Sequence, residues 1–265
     1  MTPDGRRNRR LAVLLYHNIG PLIPGTNRWL TVSPASFRRH VRWLASQGYV
    51  AISARKWLGY LRGECDLPAR PVMLTFDDGY QSLAEHAFPI LREQGFSAVV
   101  FIVSGLIGKT NAWDEIKGDS TMRLLGAEEL RFWARQGIEF GAHSRSHADL
   151  RKLRGAALRE EVAGSRADLE QILEREVCSF AYPYGFYDAE VRAAVSEAFP
   201  LCFSVDGKLN DVTTDPLHIR RTMVLPLDTT LDIRFRAARG WSPRAGLLSM
   251  AADVRNRMLR RGPYE

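Results

Sequence analysis

Two pairs of side chains in this 265-residue sequence have the types and spacing that metal-assisted hydrolysis requires. The first pair, Asp77 and Asp78, directly follows the apolar run 72–76, which predicts a buried strand. On an extended backbone neighbouring side chains point in opposite directions, so one carboxylate can bind a metal while the other stays free as a base. Asp-Asp-Gly is also common in turns, and the pair alone leaves that alternative open.

The second pair, His143 and His147, follows another apolar run at 138–142. Their i, i+4 spacing predicts two imidazoles on one face of a helical turn, an arrangement that suits capture of a divalent cation. One carboxylate and two imidazoles leave metal positions open for water and substrate, which is the pattern of catalytic sites. We expect one divalent metal, zinc by default, with iron, cobalt and nickel as alternatives, because this donor set suits several ions.

Three motifs occur in a fixed order: TFDDGY at 75–80, HSRSH at 143–147 and FAYPYG at 180–185. Together they resemble the polysaccharide deacetylases (the NodB-homology domain, carbohydrate esterase family 4), and the resemblance runs from about residue 11 to about residue 224. It implies removal of N-acetyl groups from amino sugars, with Asp77 as the catalytic base. It also implies that Asp78, His143 and His147 bind the metal, and that the Tyr184 backbone N–H faces the developing oxyanion.

The sequence departs from the family pattern at Ala181, where many members carry an arginine that holds the base. FAYPYG at this place resembles instead the circularly permuted branch that deacetylates poly-N-acetylglucosamine. A different cation must then face Asp77. We expect Arg221 rather than Arg220, because alternation along a predicted strand at 218–224 sends these neighbours to opposite faces.

A second departure concerns the general acid, which family members supply from a late leucine-x-histidine motif. No such motif occurs late in this chain, but Leu15-Tyr16-His17 closes the first predicted strand. A closed barrel has no privileged first strand, so we expect His17 to deliver the proton to the leaving nitrogen.

The expected substrate is a glycan or glycolipid that carries an N-acetylated amino sugar. Aromatic rings near the rim can stack on sugar faces, and the expected substrate-binding residues are Tyr182, Pro183, Trp113 and Tyr187. Two alternatives stay open: hydrolysis of a small cyclic amide or O-acetyl ester, and a non-catalytic glycan-binding protein. His40 lies among arginines on a predicted helix and is expected at the surface.

Strand and helix patterns alternate along most of the chain, which favours an α/β fold with a parallel sheet. The motifs all follow predicted strands, so closure into a barrel would bring them together at one rim. The family resemblance sharpens this expectation to a distorted (β/α)7 barrel. The longest helical patterns cover 81–94, which contains Pro89, and 153–174. We expect one domain at 11–240, a basic tail at 1–10 and a basic helical tail at 241–265.

Composition agrees with a globular protein: 45% of residues are hydrophobic and 25% are charged. Three scattered cysteines are too few for a disulfide framework. Part of the net charge of +7 lies in the two tails, which suggests peripheral contact with anionic lipid as an alternative to simple solvation. No basic patch interleaved with aromatic residues indicates nucleic acid. Without a signal-peptide core or an 18-residue apolar run, the expected location is cytoplasmic, with the inner membrane face as an alternative.

Overall fold

The computed structural model describes residues 9–23, 28–114 and 121–243. Short apolar runs in these ranges form parallel strands, most of them buried along their whole length. The strands are β1 (Ala12–Tyr16), β2 (Asn18–Ile19), β3 (Thr31–Val32), β4 (Val50–Ala51), β5 (Pro71–Phe76), β6 (Val99–Ile102), β7 (Glu139–Ala142), β8 (Ser179–Ala181), β9 (Leu201–Phe203) and β10 (Thr222–Met223).

The main sheet curls into a distorted barrel with the strand order β10-β1-β5-β6-β7-β8-β9. Within the described ranges every ladder of this sheet is parallel, and β4 joins it as an extra strand beside the start of β5. The two edges meet through one parallel bridge between Phe203 and Ile219. The carboxyl ends of the seven strands in this path therefore share one rim, and β1, the first strand in the chain, lies between the last strand and β5.

Helices cover the outside of the curled sheet, and their first turns carry ordinary capping residues such as Ser33, Ser53 and Asp188. Their bounds are α1 (Pro34–Ser46), α2 (Ala54–Leu61), α3 (Phe88–Glu93), α4 (Ala127–Arg135), α5 (Gly155–Arg159), α6 (Ser165–Leu173), α7 (Ala189–Ala198) and α8 (Thr230–Arg239).

Alternation along the strands divides the apolar side chains between two cores. Tyr16 and Phe76 face the outer helices and pack with Phe37 of α1. Val13 and Met73 face the interior of the barrel, where Trp57 of α2 joins them. Helix α2 therefore helps to fill the end of the barrel opposite the rim, and the rim is the end left for chemistry.

Both long helical patterns are interrupted by a π-helical turn, which the sequence periodicity does not show. The segment at 81–94 has a π-turn at Leu83–Ala87 that runs directly into α3, and Pro89 is the second residue of α3. The segment at 153–174 has a π-turn, Glu160–Gly164, between α5 and α6. The predicted strand at 218–224 is also shorter, because only Thr222–Met223 pairs with β1 as β10.

His40 is buried rather than exposed, which corrects the expectation from its arginine neighbours. Its side chain lies between the Tyr16 hydroxyl, 3.3 Å from Nδ1, and the Asp228 carbonyl, 2.9 Å from Nε2. A neutral ring that donates from Nε2 satisfies both partners. Burial lowers the pKa of His40 to about 4.

The two tail segments, apart from residues 9–10 and 241–243, lie outside the described residues. No helix in the described ranges combines the length and the apolar character needed to cross a membrane.

Candidate active site

Asp77 and His17 occupy neighbouring places on the rim. The β1–β5 ladder aligns Tyr16 with Phe76, and the Asp77 N–H continues it by donating to the Tyr16 carbonyl at 3.1 Å. His17 follows Tyr16 at that point and is half-buried. Its charge, when present, lowers the pKa of both Asp77 and Asp78. The first strand thus brings a histidine to the two aspartates.

Asp78 turns away from the strand through a left-handed backbone, with φ at 73°. Both aspartates were expected on an extended backbone, and this prediction was wrong, because β5 ends at Phe76. Gly79 continues the left-handed turn, and a Cβ there would lie 2.6 Å from Cδ1 of Ile102. Tight packing against β6 therefore requires glycine after the two aspartates.

The segment 143–147 is an irregular loop, so the helical turn expected for the two histidines is absent. Ser144 and His147 both have left-handed backbones, with φ at 63° and 61°. Each such conformation costs a residue with a Cβ about 1–2 kcal/mol. The loop still brings both imidazoles to one carboxylate, with His147 Nε2 3.3 Å and His143 Nε2 3.6 Å from Asp78 Oδ1.

The three side chains of Asp78, His143 and His147 are buried, and their potential ligand atoms all lie within 4.8 Å of one another. His143 is oriented by its other nitrogen, Nδ1, which lies 2.7 Å from the Ala181 carbonyl. A histidine that donates from Nδ1 presents an Nε2 lone pair, as a metal ligand must. The donor set fits a divalent cation with N/O preference, zinc among them.

Burial sets the protonation of these groups in a direction that favours metal binding. Burial lowers the pKa of His143 to about 4, although the Asp77 charge opposes this. For Asp78 burial would raise the pKa, but the nearby histidines outweigh it, and the pKa lies well below its ordinary value. Neutral imidazole and ionised carboxylate are the states that coordinate a cation.

Asp77 stays outside this three-residue cluster and forms an ion pair with Arg221, the cation expected from the sequence. The guanidinium donates two hydrogen bonds, NH1 to Oδ1 at 2.5 Å and NH2 to Oδ2 at 2.8 Å. Its Nε donates to the Ser204 carbonyl at 2.9 Å, across the weakly closed gap between β9 and β10. Burial would raise the pKa of Asp77, but Arg221 and then His143 outweigh burial and lower it.

Arg221 is fully buried in the barrel interior below the rim. Its guanidinium lies 5.2 Å from the ring centre of Phe101 and 6.0 Å from that of Phe203, and Ala181 belongs to the same interior cluster as these rings. The residue directly before β10 therefore supplies the cation that β8 does not.

Aromatic rings surround His147 beside the metal cluster. Trp113 stacks on its ring at 4.4 Å, and Tyr184 meets it edge to face at 4.5 Å. Tyr184 lies in a short 3₁₀ turn at Pro183–Gly185 with a left-handed backbone, φ 59°. Next to these rings is a groove of about 600 Å³, whose lining includes Phe186, Asp149 and Lys152.

Three of the expected substrate residues face elsewhere. Tyr182 is fully buried and donates from its hydroxyl to the Leu217 carbonyl, and Pro183 is buried behind the turn. Tyr187 stacks on Tyr182 at 4.4 Å and bonds to His218. Tyr182 and Pro183 therefore support the turn instead of offering faces for a sugar. Trp113 is mostly buried, but it stacks on His147 and contributes to the lining of the groove.

Two other groups at the site were not predicted from the sequence. Burial and then the Asp78 charge raise the pKa of Tyr80, so its phenol lies near Asp78, and Phe186 exposes nearly half of its surface at the groove. Tyr80 belongs to the TFDDGY motif, so its position was a usable signal. Phe186 follows the FAYPYG motif directly, and nothing in the local pattern distinguishes it from a packed residue.

The model of the polysaccharide deacetylase family matches residues 65–198, half of the chain. The chain belongs to the polysaccharide deacetylase family. The matched segment contains both aspartates, both histidines and Tyr184, whereas His17 and Arg221 lie on either side of it.

Among curated proteins, the chain is 25% identical over 207 residues to YxkH of Bacillus subtilis (strain 168), named as a polysaccharide deacetylase. That alignment covers 78% of this chain and 65% of YxkH, so the chain spans less than two thirds of that relative. It is 23% identical over 204 residues to the poly-beta-1,6-N-acetyl-D-glucosamine N-deacetylase of Staphylococcus aureus (strain MSSA476), covering 73% of this chain and 68% of that protein.

Two solved structures share the fold. The Streptococcus pyogenes deacetylase PplD in complex with acetate aligns with a TM-score of 0.74 and 21% identity, over 84% of this chain and 95% of PplD. IcaB from Ammonifex degensii aligns with a TM-score of 0.70 and 24% identity, over 88% of this chain and 97% of IcaB. The expected (β/α)7 deacetylase barrel is therefore confirmed.

Proposed function

We propose that this protein is a metal-dependent hydrolase that removes N-acetyl groups from the amino sugars of a glycan. The main observation in support is that the two adjacent aspartates have different partners. Asp78 lies with two imidazoles in a buried donor cluster, while Asp77 is held separately by Arg221. Family membership supports the same chemistry, and one relative is named for deacetylating poly-N-acetylglucosamine.

Asp78, His143 and His147 would hold the divalent cation. When bound there, the cation supplies Lewis-acid chemistry: it stabilises negative charge on oxygen and makes a water molecule easier to deprotonate. Zinc is the metal we favour, and iron, cobalt and nickel suit the same donors.

Asp77 acts as the general base. Its lowered pKa keeps it ionised at neutral pH, and its two hydrogen bonds to Arg221 fix the plane of the carboxylate. It accepts the proton of the attacking water. Transfer to such a positioned group typically contributes ~10²–10⁴-fold in rate.

His17 acts as the general acid. Amide cleavage requires a proton on the leaving nitrogen, and histidine is the most common donor in such a step. His17 is half-buried and lies near both carboxylates. The neighbouring strand position places it beside Asp77. We expect His17→Ala to keep its metal and fold but to lose turnover, with the loss concentrated in the basic limb of the pH–rate profile. Near-normal turnover with an unchanged basic limb would remove His17 from this role.

The turn at Pro183–Gly185 supplies the remaining polar contact. In this proposal the Tyr184 backbone N–H donates to the oxygen of the acetyl group as negative charge develops on it. The left-handed backbone of Tyr184 is the kind of strained conformation that active sites use, and the turn is supported by the packing of Tyr182 and Tyr187.

The groove beside His147 is where we place the glycan. Tyr184 and Phe186 expose parts of their rings there, and Lys152 adds a donor for sugar hydroxyls or carbonyls. Exposed aromatic faces next to polar side chains are the usual surface for a carbohydrate. The volume of about 600 Å³ is in the range of small-molecule sites.

The proposal is tested by metal content and acetate release on the purified protein. We expect one bound divalent metal per chain and acetate release from N-acetylglucosamine oligomers. His147→Ala should lose both, whereas His86→Ala, which removes a half-buried histidine outside the cluster, should lose neither.

Several outcomes would contradict the proposal. A His147→Ala protein that still holds stoichiometric metal removes His147 from the ligand set. Acetate release from an O-acetyl ester but not from N-acetylated sugars would change the substrate class. A metal-loaded protein that binds the oligomers without hydrolysing them would indicate a glycan-binding protein.

A further inference from the structure

The loop 143–147 needs support from outside itself, because two of its residues adopt left-handed backbones without being glycine. Such conformations persist only where surrounding contacts determine them. Its two ends are held by the sheet and by its own side chains: the His143 N–H donates to the Ile102 carbonyl at 2.9 Å, and the His147 N–H donates to the Ser144 hydroxyl at 3.0 Å. In the middle of the loop, the carbonyls of Ser144 and Arg145 accept from the Ser104 and Gly105 N–H groups at 3.1 and 2.9 Å. The N–H groups of the loop middle need support from another element.

Glu161 supplies that support from the π-helical turn Glu160–Gly164. Its Oε2 accepts from the consecutive backbone N–H groups of Arg145 and Ser146, both at 2.9 Å. Its Oε1 accepts from the Ser146 hydroxyl at 2.7 Å. One carboxylate thus takes three donors from two of the three residues between the metal-binding histidines, in the manner of an anion bound by successive backbone amides.

The helix approaches the loop closely at this place. A Cβ on Gly164 would lie 3.0 Å from Cδ of Arg145. The Arg145 side chain runs along the helix to Asp168, with Nε 2.9 Å from Oδ2, and to Glu160. Asp168 also accepts from the Ser104 hydroxyl at 2.7 Å. These contacts anchor a side chain, whereas Glu161 alone among the three acids binds backbone N–H groups of the loop in the described contacts.

The π-turn explains how Glu161 reaches the loop. Leu158, Val162 and Leu169 stay in the core on the buried side of the same helical segment. The extra residue of a π-turn shifts the helical register, and such insertions are common next to functional sites. The π-turn therefore lets this helix keep its apolar side chains in the core while Glu161 contacts the loop.

We propose that Glu161 is a positioning residue for metal binding: it holds the loop in the backbone conformation that places His147 against Asp78. The inference rests on the metal site of the proposed function. Glu161 touches neither the cation nor the substrate in this role. Its effect is on metal affinity, because a loop that is free to leave the left-handed conformation spends less time with both imidazoles in place.

The test is a zinc titration of the metal-free full-length protein against a chromophoric chelator, with no substrate present. We expect Glu161→Ala to weaken zinc binding ~10–100-fold, the usual effect of removing a group that orients a metal ligand. Glu161→Gln keeps one acceptor oxygen and should weaken binding less. Glu160→Ala is the matched control, and it should leave zinc affinity unchanged. It removes the neighbouring acid, whose hydrogen bond among the described residues goes to the Arg145 side chain.

Thermal unfolding with and without zinc separates positioning from simple stability. Glu161→Ala should reduce the rise in unfolding temperature that zinc produces in the wild type, beyond any loss in the metal-free protein. Wild-type zinc affinity in Glu161→Ala, or equal weakening in Glu160→Ala, would overturn the assignment and leave the deacetylase proposal intact. A wild-type protein that binds no zinc at this site would overturn the metal site, and this inference with it. Should Glu161→Ala not fold, the Glu161→Gln affinity decides: an unchanged value refutes the role.

Discussion

Two buried arginine–aspartate pairs lie at the same end of the sheet, and they differ in how the carboxylate is satisfied. In the Arg221–Asp77 pair the two carboxylate oxygens each accept one hydrogen bond from the guanidinium. In the Arg236–Asp228 pair the Arg236 Nε and the Leu225 N–H both donate to Oδ2, at 2.9 and 3.0 Å. Oδ1 of Asp228 is buried with no hydrogen-bond partner among the described residues.

The acidity of the two carboxyl groups follows this difference. Burial favours the neutral form of both. At Asp77 the two-oxygen contact with Arg221, helped by His143, overcomes burial and lowers the pKa. At Asp228 the contact with Arg236 does not overcome burial, and the pKa is raised.

The surroundings of the pairs differ as well. Arg236 also donates to the Thr222 hydroxyl at 2.8 Å, so this pair ties α8 to β10 and has a structural role. Asp77 has His17, His143 and Asp78 around it. A buried ion pair alone therefore does not indicate a site. A functional site is indicated when both oxygens of the carboxylate are hydrogen-bonded and other titratable groups lie beside it at the rim, as at Asp77.

The largest expected effect comes from neutralising each aspartate in turn. Asp77→Asn removes the proposed base and should lower turnover by ~10²–10⁴ while the protein keeps its metal. Asp228→Asn should leave the turnover of the folded protein near that of the wild type and lower the unfolding free energy. Acetate release and metal content measured on both variants check this, and comparable losses of turnover would erase the distinction between the two pairs.

Replacing either arginine should lower the unfolding free energy, but only one of the two replacements should change the pH dependence of activity. Arg221→Ala and Arg236→Ala each leave a buried carboxylate uncompensated, which typically costs ~3–5 kcal/mol of unfolding free energy. Only Arg221→Ala should also change the pH–rate profile. Asp77 must be ionised to accept a proton, so activity falls as the pH drops through its pKa. Without Arg221 that pKa rises, and the acidic limb moves to higher pH.

The control for this pair of variants is Arg221→Lys, which keeps the charge but not the two-point contact and should move the acidic limb less. An acidic limb that stays in place in Arg221→Ala, or one that moves equally in Arg236→Ala, would show that Arg221 does not set the ionisation of Asp77.

The smallest expected effect is on the pH dependence of stability and concerns His40, which forms a hydrogen bond with the carbonyl of Asp228. Its pKa is about 4 in the folded protein and near 6.5 when exposed, so the unfolded chain takes up the proton first as the pH falls. The unfolding free energy should therefore decrease from about pH 6.5 to about pH 4, by up to ~1.4 kcal/mol per pH unit from this group. Chemical unfolding of metal-free wild type and His40→Gln should show a shallower pH dependence in the variant, and parallel curves would contradict the assignment.

The sequence by itself was sufficient for the architecture and for the centre of the site. Alternating strand and helix patterns, with polar motifs after the apolar runs, predicted parallel strands whose carboxyl ends meet at one rim. Asp77, Asp78, His143 and His147 were identified because they directly follow such runs, where a residue's place on the rim is fixed by the local chain. His17 could be singled out for the same reason, since it closes the first strand.

Tertiary structure decided what depends on contacts distant in the chain or on irregular backbone. Arg221 meets Asp77 across 144 positions, so only the curling of the sheet brings them together. The left-handed turns at Asp78 and His147 replace the extended and helical backbones that periodicity implied, because residue patterns report regular structure and not local strain. The burial of Tyr182 and His40 and the contact of Glu161 with the loop arise from packing between elements, which residue type and spacing do not encode.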